Sequence, residues 1–524
     1  MLAAALLPSV AVAQSWLDYD QALSRHSWLR TSNAAALTTY QPADSSQRWL
    51  GDASVSLSTG QGWLVEPGQS PHAWQVGAQA RSLCRLSRRV VLRGGIDYSY
   101  GWGSDASGSV WISPERMPMD IAEVSDTTRG TVALERYGLT GEVGVQTLPG
   151  LSVGARMSYG AGSYTKRRDP RHTNSLMLID ASAGVTWQRA GLTLGANYLL
   201  QRSTEALRFS TYGRTDRVYH YLIDFGAGMG RTEQTDGKGY VSSDYEKPLL
   251  DMRHGVAVQA GYEHGPWSAV AEWHWARRHG HYGLESPSLL DFNRHHGHEW
   301  HLRSWWQRAT PQAIHRLTAL WSHEDIRDNE RTYRIVTEGG VTHIDYYDDR
   351  EMSQRQADHV SVTYDGQWGI ERHLATWQVQ ACVDYRLRTI TASLFPYYRW
   401  QQTHYTALTL EARRNGLTPG GHTWSVGVLA RCGSGGGTPA SDGAYTVPAD
   451  GATFPATDEA WLMRHYEWLT ATRLQGGVTL RWSMPLPRLR LYAQGSYSLA
   501  HAFDTHWLAD AYRHTATLAL GCLF

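Results

Sequence analysis

The sequence predicts an all-β chain folded as a transmembrane antiparallel β-barrel of about 18 strands (16–18 is the range), with short periplasmic turns and long extracellular loops. Three observations predict it. Hydrophobicity alternates with a period of two along most of the chain, connections alternate between short and long, and the last strand ends on an aromatic residue. The composition fits. The chain has 524 residues with mean hydropathy −0.44, and no run of apolar residues reaches the ~18 of a membrane helix. Lys+Arg and Asp+Glu are both 49, so no global field favours nucleic acid. The 23 Trp and 28 Tyr far outnumber the 7 Phe. Rings with a polar handle favour a membrane–water boundary.

Taken in order, Met1 to Ala13 is apolar and ends in Ala11-Val12-Ala13, the small-x-small pattern of a signal-peptidase site. It lacks a positively charged start, so residues 1–13 are expected to be a signal peptide with a truncated or misplaced beginning. Residues 14–50 are expected to form a periplasmic or lumen-plugging segment, and residues 51–524 the barrel.

Within 51–524, Val90, Leu92, Gly94, Ile96, Tyr98 and Tyr100 share one face of a strand, and Arg93 and Asp97 share the other. Leu151 to Tyr159, Val256 to Tyr262, Trp267 to Trp275, Ala375 to Tyr385 and Leu489 to Leu499 repeat this alternation. Tight turns are expected at Ser87-Arg88, Pro149-Gly150, Ala190-Gly191, Gly265-Pro266, Thr310-Pro311, Gly369 to Arg372, Asn415 to Gly421 and Pro485 to Arg488. Long polar loops are expected at 61–71, 104–130, 167–174, 210–252, 280–297, 327–355, 396–404, 434–460 and 502–510. Alternation of short turn and long loop is the layout of an outer-membrane barrel. In a soluble sandwich the apolar faces would form a core. Here strands often exceed ten residues and Trp and Tyr recur near their ends, as membrane spanning requires.

The final strand, Thr515 to Phe524, alternates and stops on Phe524. It resembles the C-terminal signal that the barrel-assembly machinery reads in bacterial outer-membrane barrels. In layout over most of its length, and locally at Asp169-Pro170-Arg171, the chain resembles the uncharacterised outer-membrane β-barrel families of Bacteroidota, a domain of unknown function. Ser32-Asn33-Ala34-Ala35-Ala36-Leu37 resembles the Asn-Pro-Ala element of the long-chain fatty-acid transporter family, with Ala34 in place of the Pro. These resemblances imply a Gram-negative outer-membrane location and leave any substrate site unassigned.

Candidate chemistry is sparse. Cys84, Cys382, Cys432 and Cys522 form no CxxC pair and read as small apolar residues. His279, His281, His295, His296, His298 and His301 flank one expected loop and are the candidate metal ligands, since convergent imidazoles suit Zn, Cu or Ni. The plainer reading is a polar loop in a His-rich chain, and His274, Arg277, Arg278 and Arg294 would repel a cation. Only Lys166, Lys238 and Lys247 are lysines, so 46 of the 49 basic residues are Arg. Arg clamps carboxylate and phosphate, so an anion-conducting lumen competes with simple codon bias. Phe225 to Gly230 is glycine-rich but lacks the lysine and helix of a phosphate loop. Thr332 to Val336 and Val341 to Asp345 read as a hairpin within an outer loop, and Gly433 to Gly437 as a flexible tract.

No nucleophile is matched with a base, so no enzyme activity and no cofactor are expected. The leading expectation is a porin-like channel or an accessory component for uptake of small solutes. The alternatives are a non-transporting scaffold or shuttle for secreted or surface proteins, and an outer-membrane hydrolase. Expected partners are outer-membrane lipid, the barrel-assembly machinery, and another outer-membrane transporter or surface protein.

Overall fold

The computed structural model describes residues 19–42, 48–212, 217–235, 239–286, 289–371 and 373–524. The expected signal peptide at 1–13 lies outside them, as do Arg372 and parts of the expected loops 210–252 and 280–297. The chain opens with helix α1 (Tyr19–Arg25) and two 3₁₀ turns, Ser27–Arg30 and Ala34–Thr39. Strands β1 (Trp49–Gln61), β2 (His72–Arg85) and β3 (Val90–Ala106) precede two short ones, β4 (Gly108–Ser109) and β5 (Asp120–Glu123). Next come β6 (Gly130–Leu148), β7 (Leu151–Lys166), β8 (Arg171–Arg189) and β9 (Leu192–Ser210), then the short β10 (His220–Asp224) and β11 (Gly230–Gln234). They are followed by β12 (Lys247–His264), β13 (Trp267–Ser286), β14 (Leu289–Ala309), β15 (Ala313–Glu338) and β16 (Val341–Glu371). The chain continues through β17 (Leu374–Leu394), β18 (Tyr397–Leu417), β19 (Thr423–Ala444), helix α2 (Glu459–Thr470), β20 (Arg473–Pro485), β21 (Arg490–Ala502) and β22 (Tyr512–Leu523).

All strands except β4, β5, β10 and β11 form one 18-stranded antiparallel sheet in which each pairs with its sequence neighbours in the wall. Pairing of β1 with β22 closes it, and Gly51 and Phe524 exchange backbone hydrogen bonds of 2.7 and 3.0 Å at the seam. Closure leaves no unpaired edge, which is what a lipid-embedded sheet requires. The faces fall as the alternation predicts: Ile96, Met157, Val258, Val428 and Leu520 point outward, whereas Arg93 and Glu142 pair inside at 2.7 Å. Trp267 and Trp275 stand eight positions apart on the outside of β13. At ~3.3 Å per residue and the usual tilt that is about 20 Å of height, near the apolar band of such barrels.

The long connections differ from expectation. Residues 280–286, 289–297, 327–338, 341–355, 397–404 and 434–444 are strand, so Gly433 to Gly437 lies in β19 and is not a flexible tract. The expected hairpin at 332–345 is the tip of the β15–β16 ladder, turning at Gly339 and Gly340 with φ of 58° and 83°. Beyond the membrane both strand faces become polar and the hydrophobic period fades, yet backbone pairing continues.

The loops that remain fold into the mouth. Strands β4, β5, β10 and β11 make a four-stranded sheet in the order β11-β10-β5-β4. Its Ile121, Tyr221 and Ile223 join Val110, Trp111, Phe225, Met229 and Tyr240, and pack on wall residues Leu207, Leu249, Tyr282, Phe292 and Met352. The outer lumen therefore holds an apolar core that caps the barrel. Helix α2 is capped by Asp458, whose side chain accepts from Trp461 N at 2.9 Å. Its Trp461 packs on Ala122 and Leu222. The Glu467 carboxylate accepts the backbone N–H groups of His506, Trp507 and Leu508 at 2.8–2.9 Å, fixing the last loop to the helix.

Candidate functional site: a polar chamber in the lumen

Residues 19–40 lie against the inner wall at the short-turn end. Asn33 is their anchor. Its Nδ2 donates to Val185 O at 2.9 Å, Ala196 O at 3.3 Å and Gln259 Oε1 at 3.1 Å, while its Oδ1 accepts from Ala35 N at 3.1 Å. The backbone N–H and hydroxyl of Ser32 donate to Glu272 at 2.8 and 2.9 Å. Arg93 donates to Leu29 O at 2.8 Å, and Arg316 donates to Ser24 O. The run of alanines has a steric reason: Ala34 and Ala35 are buried against wall glycines, a Cβ at Gly154 would fall 2.2 Å from Ala35 N, and Ala36 is buried among Trp28, Val270 and Trp305. The Ser32–Leu37 stretch thus marks a contact of backbone against wall.

Between this segment and the cap lies a chamber of about 860 Å³, lined in part by Glu66, Asp120, Asp224, Arg253, Glu299, His301, Glu324, Arg355, Arg386, Arg388, Arg431, His465, Trp468 and Arg473. A cavity of about 350 Å³ adjoins it through Arg253, Glu299 and His301 and reaches Ser32 of the N-terminal segment. A third, about 460 Å³, adjoins it under the cap through Glu66, Asp120, His465 and Arg513. Polar space therefore runs from cap to N-terminal segment. On the cap side, Asp120 and Asp224 pair in register across β5 and β10. Burial pushes the Asp120 carboxyl up to about 7, with Asp224 adding, and burial likewise raises Asp224. Asp224 also accepts from Gly226 N at 2.7 Å and Gly228 N at 3.2 Å, which accounts for the glycine-rich 225–230 stretch as a tight β10–β11 connection. Burial holds the His465 imidazole down at about 3, with Arg388 and Arg464 adding to the shift.

The six candidate histidines divide between the two sides of the wall. His279, His281, His296 and His298 share the outward positions of Trp273, Trp275 and Trp300, and His298 stacks on Trp275 with ring centroids 5.9 Å apart. His295 and His301 face the lumen, where His295 Nε2 lies 3.1 Å from Asp251. Among the described residues no three His, Cys, Asp or Glu side chains converge as a metal site.

The lumen charges do converge. On β12–β16, Asp251 meets Arg278 at 2.7 Å and Arg253 at 3.3 Å, Glu299 meets Arg253 at 3.0 Å, and Glu324 meets Arg355 at 2.6 Å. On β17–β20, Arg386, Arg388, Arg431 and Arg473 make no ion pair or hydrogen bond with any described residue. Sequence reasoning registered the excess of Arg without finding these four. Their shared inward parity was the available signal.

A model of a family of unknown function, DUF6850, matches residues 35–524. The chain belongs to the DUF6850 family. No curated protein matches it. Among solved structures, this DUF6850 protein is similar to the ferric preacinetobactin receptor BauA of Acinetobacter baumannii at 7% identity, with 90% of this chain and 80% of that one covered and a TM-score of 0.39. It is similar to the outer-membrane transporter YddB of Escherichia coli at 8% identity, with 90% and 81% covered and a TM-score of 0.39. For the RagAB peptide importer in its closed-closed state the figures are 7% identity, 92% and 87% covered, and 0.37.

Proposed function

We propose that this DUF6850 protein is an outer-membrane barrel for gated uptake of a small solute, acting alone or as an accessory to another transporter. The observation that supports the reading is the chamber of about 860 Å³, polar and placed between two covers. A wall held together only for anchoring has no need of such a space, and clefts or cavities of ~300–1,000 Å³ are the size of small-molecule sites. The N-terminal segment rests on the wall through hydrogen bonds and small residues, with Ala34 and Ala35 against Gly144 and Gly154. It is the cover that can be displaced without breaking the sheet.

Conductance across a planar bilayer tests this. The wild-type full chain is expected to be mostly closed with rare openings. Gly154→Val puts side-chain atoms where Ala35 N now lies and is expected to raise the open fraction at least tenfold, with the barrel still folded by circular dichroism. Equally silent records from both proteins would count against uptake and favour the scaffold reading. That second reading has its own support in the β15–β16 hairpin, whose exposed Ile335, Val341 and Tyr347 offer a surface for a surface-protein partner.

A further inference from the structure

The four unpaired arginines occupy one wall of the chamber. Arg386 and Arg388 project inward from β17, Arg431 from β19 and Arg473 from β20. Across the ladder Arg386 opposes Tyr405, and Arg431 opposes Gln475 one inward position from Arg473. Helix α2 packs over β18 and β19 and contributes His465 and Trp468 to the same wall. The Arg473 guanidinium is held in place by two rings, with its carbon 4.3 Å from the Trp468 centroid and 5.7 Å from that of Tyr405. Its Nε and Nη2 are both buried and have no hydrogen-bond partner. Those two atoms form the edge through which a guanidinium grips a carboxylate or phosphate with two parallel hydrogen bonds. Buried donors in native proteins are satisfied, so an oriented bidentate edge with no partner among the described residues suits an acceptor supplied from outside the chain.

The surrounding charges reinforce this. The acids whose charge acts on Arg388 are Asp224, Glu66 and Glu324. Glu324 is engaged by Arg355 at 2.6 Å. Burial raises the Asp224 and Glu66 carboxyls, which weakens them as counter-charges. From β17 to β20 the wall spans three strand spacings, about 14 Å, and arginine side chains can reach inward from both ends of it. One monovalent anion cannot satisfy guanidiniums so distributed.

We propose that Arg386, Arg388, Arg431 and Arg473 form a binding site for a small polyanion carrying two or more carboxylate or phosphate groups. This rests on the uptake reading in that the anion would be the solute held between the covers. Tyr405 and Trp468 are positioning residues that hold the plane of Arg473.

Isothermal titration calorimetry on the folded full chain in neutral detergent micelles at low salt tests the site. The probes are pyrophosphate, tricarballylate and, as the monoanion, acetate. At least one polyanion is expected to bind and acetate is not. Binding of pyrophosphate alone assigns phosphate, tricarballylate alone assigns carboxylate, and both together assign the shared chemistry. Affinity is expected to fall as salt rises. Arg386→Gln/Arg473→Gln is expected to weaken binding at least tenfold, and Arg473→Lys, which keeps the charge but loses the two-bond edge, by a smaller factor. Arg431→Gln serves as a second variant if the double one does not fold. Failure of both polyanions to bind overturns the proposal, as does unchanged binding in the folded variants. Passage of the same probes into proteoliposomes is read separately. Binding without passage would leave the site standing and remove the uptake reading, and passage without binding would do the reverse.

Discussion

The two sides of the lumen use the same residue type to opposite ends. On β12–β16, Arg278 is 1% exposed and lies between Asp251 and Glu324, while Asp251 also meets Arg253 and His295. On β17–β20, arginines lining the same chamber stand without carboxylates. Taking a guanidinium out of water is costly unless its charge and donors are matched. The first side is matched internally and is part of the framework. The second is matched only if something enters. The difference teaches that abundance of Arg says little about function in a barrel, whereas the absence of partners says a great deal.

The most severe test of this contrast is Asp251→Ala. It removes the acceptor shared by Arg278, Arg253 and His295 and leaves the buried Arg278 with only its longer contacts, to Glu324 at 3.4 Å and Glu299 at 4.0 Å, at a cost of about 3 kcal/mol. Arg473→Gln, on the other side, is expected to change stability by only about 1 kcal/mol, because it loses ring contacts but breaks no ion pair. Equilibrium unfolding in urea from lipid vesicles reads both. Equal losses would mean that the unpaired wall is as structural as the paired one.

Much of this architecture was legible because lipid imposes a period of two. Wherever Val, Leu and Trp face hydrocarbon, as at Val256, Val258 and Trp267, strands and turns could be placed. Legibility failed where lipid ends. Apart from the hairpin tip at 332–345, residues 327–331 and 348–355 are mostly polar on both faces, so little in their hydropathy separates ladder from loop. The cap was hidden for a different reason: Trp111, Ile121, Tyr221 and Phe225 are apolar residues scattered over two loops, and only the tertiary fold gathers them. The polyanion wall combines both problems. Its residues look like ordinary inward-facing arginines until the carboxylates that neutralise their counterparts have been located.

A smaller effect concerns the cap that closes the chamber over both walls. The Asp120 carboxyl, at about 7 in the folded protein, sits above its ordinary value, with Asp224 and Glu66 facing it and Ser109 donating to it at 2.6 Å. A raised carboxyl binds its proton more tightly when folded, so its contribution is fully present below about pH 4 and is lost as pH rises to about 7. His465 acts in the opposite sense: held down at about 3, it contributes above its ordinary value near 6.5 and loses that contribution as pH falls through the window to about 3. The two are separable by variant. Asp120→Asn is expected to slow amide hydrogen exchange of 108–123 and 220–234 on the order of tenfold at pH 8, and much less at pH 5. An equal change at both pH values would remove Asp120 from the control of the cap.

The least effect is expected outside the wall. His279 and His298 lie on the outer surface with Trp275, on the far side of the sheet from His295 and His301. A cation bound by the inward pair would therefore gain nothing from the outward four. His279→Ala/His298→Ala is accordingly expected to leave titrations with Zn, Cu and Ni unchanged and to leave polyanion binding unchanged as well. A loss of metal binding would reveal a site on the outer surface, made by residues that meet across β13 and β14. A loss of polyanion binding would be the more damaging result, because it would show that the outside of the barrel, and not its unpaired inner wall, controls what the chamber holds.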